Sequence, residues 1–300
     1  MQRKISIIVA TKDRTNILIE STLKNIQVAN YYHCEYIIVN DGDNFHIPNS
    51  LSTIKIFDNK KMGVSKARNT GAENATGEIL FFIDDDMWIT PQTVERISDL
   101  SNDNFLQSNI VLMNWEYPKE LQIDMIRKKI GRYILQSNYH TLEGRLHKKI
   151  DYTKSLQPIN GIGSGSFVIN KKLFETIGGY NENISFQGED IDMTNRIINN
   201  KINMYLLTEV TCLHNQEDRL DINNFLQRIK HGYESQVKAG ITDLKKSKLK
   251  FYRFLLPFAP ILKVFYTLIP NSSFFDLFTF RLIGTLSSLT YTKAIRNAKA

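Results

Sequence analysis

Apolar and polar residues form alternating blocks along the first third of the chain. Continuous apolar runs with β-branched residues, typical of strands buried on both faces, occupy residues 5–10, 36–39 and 78–83. A shorter run at 55–57 predicts a third strand between the last two. The spacing predicts helices over 16–28 and 65–74 and after Pro91, with Thr90 as the N-cap. This alternation of strands and helices predicts an α/β fold with a doubly wound, mostly parallel sheet.

The pattern continues in the middle of the chain with strands at 109–117 and 167–169 and a helical stretch at 121–136. A helix over 171–177 is expected to end at Gly178 and Gly179, which suit a left-handed C-cap. A further helix is predicted from about residue 189 to 198, and the glycine-rich residues 161–166 predict a flexible loop.

Composition removes several classes of protein. The chain has 300 residues, of which 42% are hydrophobic and 23% charged, so collagen, coiled coil and disorder are excluded. Its two cysteines, Cys34 and Cys212, lack metal-ligand spacing, which excludes a disulfide scaffold or zinc finger and fits a reducing compartment. The first apolar run is too short for a signal peptide, so the mature protein is expected to start inside a strand.

Charge is concentrated at the C-terminus. Residues 241–300 hold ten Lys and Arg against two acids, whereas the whole chain carries +7, and ten aromatics lie between Phe251 and Phe280. Nucleic-acid binding is not expected, because the basic residues are not spread over a folded face. We expect a catalytic domain at 1–240 and a helical tail at 241–300.

Pro257, Pro260 and the charged residues of the tail make a poor membrane-spanning helix. They suit helices that lie in the interface, with aromatics buried and cations facing anionic lipid. Residues 245–300 therefore predict a cytoplasmic protein bound peripherally to the inner face of the cell membrane. The alternative is a helical subdomain packed on the body, with its lysines in water.

Polar residues collect where the predicted strands end, which is where open α/β sheets bind ligands. Three adjacent carboxylates, Asp84, Asp85 and Asp86, repel one another, and a divalent cation would relieve that repulsion. Oxygen ligands of this kind suit Mg²⁺ or Mn²⁺, which also bridges a diphosphate. The alternative is an acidic loop that caps the next helix.

Three other features have both a functional and an ordinary interpretation. Lys66 and Arg68 near a helix start would form an anion site or a solvated basic helix. Glu189 and Asp190 at a helix start would meet substrate beneath the mobile loop or serve only as helix caps. His214 would be a ligand or an ordinary core imidazole.

Five segments in this order, at 6–14, 40–43, 63–71, 77–86 and 188–192, resemble the GT-A-fold family 2 glycosyltransferases. The resemblance covers residues 1 to about 235, and residues 178–190 are similar to the C-terminal half of galactosyl- and N-acetylgalactosaminyltransferases. It implies a GT-A fold: a Rossmann-like, mostly parallel sheet flanked by helices, with a nucleotide-sugar half at about 1–115, an acceptor half at about 116–240 and a C-terminal helical extension.

The resemblance also implies residue roles. Asp190 would be the catalytic base and Glu189 would orient the acceptor. A Mn²⁺ or Mg²⁺ ion would be held by Asp84, Asp86 and His214. The nucleotide sugar would be bound by Thr11, Arg14, Asp41, Asp43, Arg68, Asp84 and Asp85. Trp115, after a predicted strand, would stack on the acceptor sugar or be a core or rim aromatic.

These features predict a metal-dependent, inverting transfer of sugar from a UDP-sugar to a glycan or lipid-linked glycan in surface polysaccharide synthesis. Uracil, rather than another base, rests on the resemblance alone. A nucleotidyltransferase shares the sheet and metal but usually has a glycine-rich loop after its first strand. A glycoside hydrolase uses two carboxylates without this metal site. A non-catalytic binding module would have lost some of the acids.

Overall fold

The computed structural model of the protein describes residues 3–42, 53–59, 62–146, 148–163, 165–238, 240 and 248–297. Asp43, predicted to bind the nucleotide sugar, lies outside these residues, as do residues 245–247 of the tail. By contacts the chain divides into two units. Unit 1 comprises residues 1–116, 150–185 and 189–215, and unit 2 comprises residues 117–149, 186–188 and 216–300.

Unit 1 contains the strands and five of the helices that the structure describes. The strands are β1 (Ile5–Thr11), β2 (Glu35–Asn40), β3 (Lys55–Asp58), β4 (Ile79–Asp84), β5 (Met87–Trp88), β6 (Asn109–Glu116), β7 (Leu156–Ile159), β8 (Ser166–Asn170) and β9 (Asn203–His214). The helices are α1 (Thr15–Tyr31), α2 (Val64–Asn74), α3 (Pro91–Asn102), α7 (Lys171–Thr176) and α8 (Glu189–Asn199).

The described strands form one sheet in the order β3-β2-β1-β4-β8-β6-β9-β5, with β7 also paired to β9. The expected parallel arrangement is confirmed for β3, β2, β1 and β4. From β8 onward the sheet is mixed, because β8 runs antiparallel to both β4 and β6, whereas β6 and β9 are parallel. All parallel strands of the first half therefore end at the same edge.

Helices cover both faces of this sheet. Ile7 and Phe81 point to one face, where they join a buried cluster with Leu18 of α1 and Ile97 of α3. On the other face α2 lies so close to β1 that any side chain at Gly71 would collide with Ile8. Burial on both faces explains why these strands are continuously apolar.

The predicted helix boundaries are confirmed where they depend on capping. Thr90 caps α3 by accepting a hydrogen bond from the backbone N–H of Thr93 at 3.3 Å, and Pro91 begins the helix. Gly178 and Gly179, which follow α7, have φ values of +82° and +62°. Both values lie in the left-handed region of backbone conformation, which glycine adopts more readily than other residues.

Unit 2 is helical. Its described helices are α4 (Lys119–Ile126), α5 (Lys129–Gln136), α6 (Leu142–Leu146), α9 (Ile222–Lys238), α10 (Lys248–Leu255), α11 (Ala259–Leu268) and α12 (Asp276–Asn297). The single helical stretch predicted at 121–136 is two helices, α4 and α5. Among the described residues no helix is long and apolar enough to cross a bilayer.

The C-terminal helices pack with earlier parts of unit 2. Helix α12 contacts α5 and α9, and Arg132 of α5 pairs with Asp276 at the start of α12 at 2.8 Å. The expected C-terminal helical extension is therefore present. The functional division at residue 240 stays a prediction, and the contacts instead group residues 117–149 and 186–188 with the C-terminal helices.

Candidate active site

Strand register brings the polar strand ends together. Thr11 at the end of β1 is level with Asn40 of β2, and Ala10 is level with Asp84 of β4. Beyond Asp84 the chain turns into the two-residue strand β5, which pairs antiparallel with the end of β9. This pairing places His214 beside the aspartates, although 128 residues separate it from Asp86.

Asp84, Asp86 and His214 are the residues that the structure brings within reach of one cation. Each offers one ligand atom, and these atoms all lie within 4.8 Å of one another. Two hard carboxylate oxygens and one imidazole nitrogen suit Mn²⁺ or Mg²⁺ with open positions for substrate oxygens. The predicted donor set therefore fits such an ion.

Asp86 is buried and contacts a histidine and an arginine. Oδ1 lies 2.9 Å from Nε2 of His214, and Oδ2 lies 2.9 Å from Nη2 of Arg14. Burial acts to raise the pKa of Asp86, but His214 and Arg14 outweigh it and hold that pKa well below its ordinary value. Asp86 is thus ionised, as a metal ligand must be.

Asp85 has a different environment from its neighbours. It accepts a hydrogen bond from Oγ1 of Thr11 at 2.7 Å and pairs with Nη1 of Arg14 at 2.6 Å. Burial, together with the charge of Asp86, raises the pKa of Asp85 to about 7 although Arg14 acts to lower it. Arg14 therefore bridges Asp85 and Asp86, and with Thr11 it holds the aspartate turn in place.

Arg68 is a buried arginine that lies between two carboxylates. Its side chain is only 5% exposed, and it pairs with Asp84 at 2.9 Å and with Glu189 at 2.8 Å. Its guanidinium also lies over the ring of Tyr180, 5.3 Å from the centroid. The family resemblance implies that Arg68 meets the uracil or diphosphate side of the donor, and that contact stays a prediction; in the structure its charge is shared by the carboxylates of Asp84 and Glu189.

The loop before β8 approaches Asp84 closely. The backbone N–H of Asp84 donates to the carbonyl of Gly165 at 3.0 Å. A Cβ at Gly165 would collide with the Asp84 carboxylate. Glycine at this position lets the loop backbone pass beside the candidate metal ligand.

Asp190 lies in the first turn of α8, next to Glu189. Burial raises the pKa of Asp190 to about 6, and the negative charge of Glu189 adds to that effect. The backbone N–H of Ile191 and the charge of Arg68 act in the opposite direction. A carboxylate with this pKa is ionised at neutral pH yet accepts a proton more readily than an ordinary aspartate.

Asp41 follows β2 and holds a neighbouring loop. Its Oδ1 accepts hydrogen bonds from the backbone N–H of Gly63 at 2.8 Å and from Nδ2 of Asn59 at 2.6 Å. Its other oxygen lies 4.0 Å from Nζ of Lys12. Asp41 therefore holds the segment at 59–63 that leads into α2. Its contact with the base or ribose stays a prediction.

Trp115 of β6 packs edge-on against the ring of His214, with centroids 4.8 Å apart. It is half-buried against the core. This contact orients the imidazole of a candidate ligand, and stacking of Trp115 on an acceptor sugar stays a prediction.

Sequence reasoning missed two participants. Tyr180, fully buried beneath Arg68, lies in the segment 178–190 that carries the family resemblance, but sequence reasoning gave it no role. Gly165 belongs to a loop that was predicted only to be flexible. In both cases the role depends on a tertiary neighbour that local spacing does not indicate.

Comparison with known proteins gives a family match over most of the chain. The family described as "Glycosyltransferase like family 2" matches residues 6–234. The putative glycosyltransferase EpsH of Bacillus subtilis is 30% identical over 118 residues, 37% of this chain and 33% of the relative. The uncharacterized glycosyltransferase YwdF of the same organism is 29% identical over 131 residues, 42% of this chain and 48% of the relative. The matches thus span under half of these relatives.

Solved structures show the same fold at low sequence identity. A mannosyltransferase from Pyrobaculum calidifontis in complex with GDP-Man and Mn²⁺ matches with a TM-score of 0.57 and 16% identity, over 99% of this chain and 87% of that one. GalNAc-T7 with UDP, GalNAc and Mn²⁺ matches with a TM-score of 0.50 and 14% identity, over 71% of this chain and 43% of that one. The predicted GT-A fold is confirmed.

Proposed function

The chain belongs to the family 2-like glycosyltransferases, and from that premise we propose that it transfers a sugar from a UDP-sugar to a glycan or lipid-linked glycan with a divalent metal. The observation that carries the proposal is the convergence of Asp84, Asp86 and His214 at one edge of the sheet. Mn²⁺ in both structural neighbours supports the choice of Mn²⁺ or Mg²⁺. One neighbour holds UDP and the other holds GDP-Man, so the two structures differ in the nucleotide base. The choice of uracil in this proposal comes from the family resemblance.

In this proposal, some residues hold the metal ion on the donor side and others position the carboxylates near the acceptor. Asp84, Asp86 and His214 would hold the ion, which stabilises the negative charge of the leaving diphosphate when bound. Thr11 and Arg14 keep Asp85 and Asp86 in position. Arg68, locked between Asp84 and Glu189, is a positioning residue that fixes the two carboxylates relative to each other.

Asp190 is the proposed general base. A sugar hydroxyl is a poor nucleophile near neutral pH, so a carboxylate must accept its proton during attack. The raised pKa of Asp190, about 6, favours that transfer. Attack from the face opposite the diphosphate would invert the anomeric centre, and Glu189, whose Oε1 is held by Arg68, would orient the acceptor.

The experiment that tests this function is release of UDP from a panel of UDP-sugars by the full-length protein with and without Mn²⁺. We expect turnover that EDTA abolishes and that Asp86→Asn lowers by orders of magnitude, because the variant lacks a charged ligand. Asp99→Asn, an exposed aspartate of α3 paired with Arg96, is the matched control and should keep full activity.

The same assay separates the alternatives. Metal-independent cleavage of a glycan without nucleotide release would indicate a hydrolase, and pyrophosphate formation from UTP and a sugar phosphate would indicate a nucleotidyltransferase. UDP binding without turnover on any donor would indicate a binding module. Full activity in EDTA or in Asp86→Asn would refute the metal-dependent proposal.

We also propose that unit 2 attaches the protein peripherally to the cytoplasmic leaflet, which favours a lipid-linked acceptor and a role in surface polysaccharide synthesis. The support is a set of large apolar side chains left exposed on α10, on α11, in the turn at 273–275 and at the start of α12. The most exposed are Phe274 at 86%, Phe254 at 74%, Leu268 at 71% and Leu277 at 69%. Soluble proteins normally expose large apolar side chains singly, whereas here several are exposed within one stretch of the chain.

Charge around these side chains fits an anionic surface. Arg253, Lys263 and Arg281 are exposed on the same helices. Asp276, the one acid between residues 248 and 297, is neutralised by Arg132. Each cation near such a surface contributes about 1 kcal/mol.

A further inference from the structure

Helix α4 of unit 2 exposes two large apolar side chains on one face. Ile123 is 58% exposed and Ile126 is 59% exposed, and their spacing of three residues puts them on the same side of the helix. The other apolar residues Leu121 and Met125 face the interior and are buried. Two exposed isoleucines would be ordinary by themselves, so the meaning of this isoleucine pair depends on what lies next to it.

The end of α4 is joined by hydrogen bonds to the segment between α11 and α12. Nη1 of Arg132 donates to the carbonyl of Ile126 at 3.0 Å and to Oδ1 of Asn271 at 3.1 Å. Asn271 in turn donates through Nδ2 to the carbonyl of Arg127 at 2.6 Å. A single nitrogen atom thus connects the backbone of Ile126 to Asn271, which lies three residues before the exposed Phe274.

A lysine makes a second connection at the same junction. Nζ of Lys129 donates to the carbonyls of Tyr266 at 2.6 Å and Ile269 at 2.8 Å, and it lies 4.5 Å from the centroid of the Tyr266 ring. On the same helix Phe265 is 53% exposed and Leu268 is 71% exposed. The exposed side chains of α11 and the isoleucine pair of α4 therefore border one junction within unit 2.

The charge near α4 has the same sign as that of the C-terminal helices. Residues 117–136 hold five Lys and Arg against two acids, and one of these acids, Asp124, pairs with Arg127 at 3.3 Å. Lys119 at the start of α4 and Lys128 just after its end are exposed. Apolar side chains bordered by cations are the arrangement that an anionic lipid surface stabilises.

We propose that the isoleucine pair, Ile123 and Ile126, forms a second point of contact with an anionic bilayer beside the exposed C-terminal side chains. This inference rests on the proposed peripheral attachment of unit 2 and adds to it a helix from the middle of the chain. The junction through Arg132 and Asn271 ties α4 to the segment that carries Phe274, so both would meet the lipid as one surface. Two contact points fix the orientation of unit 2 on the membrane, whereas a single point leaves it free to rotate.

Partitioning of full-length protein onto vesicles of phosphatidylcholine and phosphatidylserine at low salt tests the contact. We expect Ile123→Gln with Ile126→Gln to lower the partition coefficient by about tenfold or more, because two apolar contacts with lipid are lost. Glutamine is a good helix former, so α4 itself should persist. The matched control is Leu23→Gln with Ile198→Gln, which removes two aliphatic side chains 46% and 50% exposed in unit 1. It should bind like the wild type.

A tryptophan at the same position reports on the contact directly. Ile123→Trp keeps an apolar side chain there, and we expect vesicles of brominated lipid to quench its fluorescence beyond that of the wild type, whose Trp88 and Trp115 supply the background. Leu23→Trp should show no quenching beyond the wild type. Equal quenching of the two tryptophan variants would overturn the proposal.

The outcomes separate this inference from the membrane attachment on which it rests. If the serine variant of Phe254, Phe274 and Leu277 loses vesicle binding but the glutamine variant of the isoleucine pair binds like the wild type, α4 does not touch lipid and only this inference fails. If wild-type protein does not bind vesicles, both proposals fail. If ultracentrifugation without vesicles shows a dimer that the glutamine variant converts to a monomer, the isoleucine pair is a contact between two copies of the chain and the inference is overturned.

Discussion

At the scale of single residues, Asp190 combines two properties that a general base needs. It is buried enough to have a pKa of about 6, and it lies beside Glu189, whose Oε1 is fixed by Arg68. We predict that kcat rises as the pH increases through about 6 and is constant above it, because only the ionised form accepts a proton. A pH profile measured with saturating donor and acceptor checks this, and a flat profile between pH 5 and 8 would contradict it.

Substitution of the same residue separates chemistry from stability. Asp190→Asn should lower kcat by orders of magnitude while UDP binding survives. Because the folded-state pKa is raised above the unfolded value of about 4, the wild type loses stability as the pH rises from about 4 to about 6. The variant lacks that loss, so its urea midpoint at pH 7.5 should be no lower than that of the wild type. A lower midpoint would indicate a structural role.

At the scale of secondary-structure elements, the contact of α2 with β1 positions Arg68. Gly71 touches Ile8 one turn after Arg68 on the same helix, and a methyl group there would collide with the strand. We predict that Gly71→Ala destabilises the protein by about 1–3 kcal/mol, since overpacking forces the helix away from the sheet. Donor turnover should also fall because Arg68 moves with the helix.

Urea unfolding of Gly71→Ala beside Gly284→Ala measures this effect. Gly284 in α12 has open space around its Cβ position, so alanine there should be neutral or stabilising by up to about 1 kcal/mol. Equal midpoints for the two variants would mean that α2 does not depend on this close approach.

Elements could be predicted where the local pattern determines them. Strands β1, β2 and β4 are buried on both faces, so their sequences are continuous apolar runs. The start of α3 is indicated by the N-cap Thr90 and by Pro91 in its first turn. Three strands gave no such signal. Strand β5 has two residues, β7 contains Pro158, and β9 mixes buried and exposed positions through Thr208 and Glu209. Strands β5 and β7 form because β9 offers each of them a partner, and β9 itself pairs with β6.

The candidate site likewise contains some residues whose positions could be predicted from local sequence and others whose positions could not. The carboxylates at strand ends could be predicted to converge, because parallel strands end at one edge of the sheet. The position of His214 depended on the family resemblance, and the pairing of Arg68 with Glu189 joins residues 121 apart in sequence. Such pairs are set by how α2 and α8 pack, which no local pattern contains.

At the scale of the whole molecule, the two units carry different surfaces. Unit 1 holds the sheet and the candidate metal ligands, whereas unit 2 holds the large apolar side chains that are exposed near the C-terminus. Removal of the chain after residue 240 is a poor test of membrane binding, because it deletes α12, whose buried side chains include Ile283 and Leu289, and so exposes the surfaces of α5 and α9 that α12 contacts. Point substitutions on the exposed surface avoid that damage.

We predict that full-length protein sediments with vesicles rich in anionic lipid at low salt and is released at high salt, since the Debye length falls from about 10 Å at 0.1 M to about 3 Å at 1 M. Replacing Phe254, Phe274 and Leu277 together by serine should abolish sedimentation, because these side chains supply the apolar contact. Donor turnover should be unchanged. Tyr31→Ser, which removes an aromatic 77% exposed in unit 1, is the control and should sediment normally. If wild-type protein ignores such vesicles at low salt, membrane attachment through this surface is wrong.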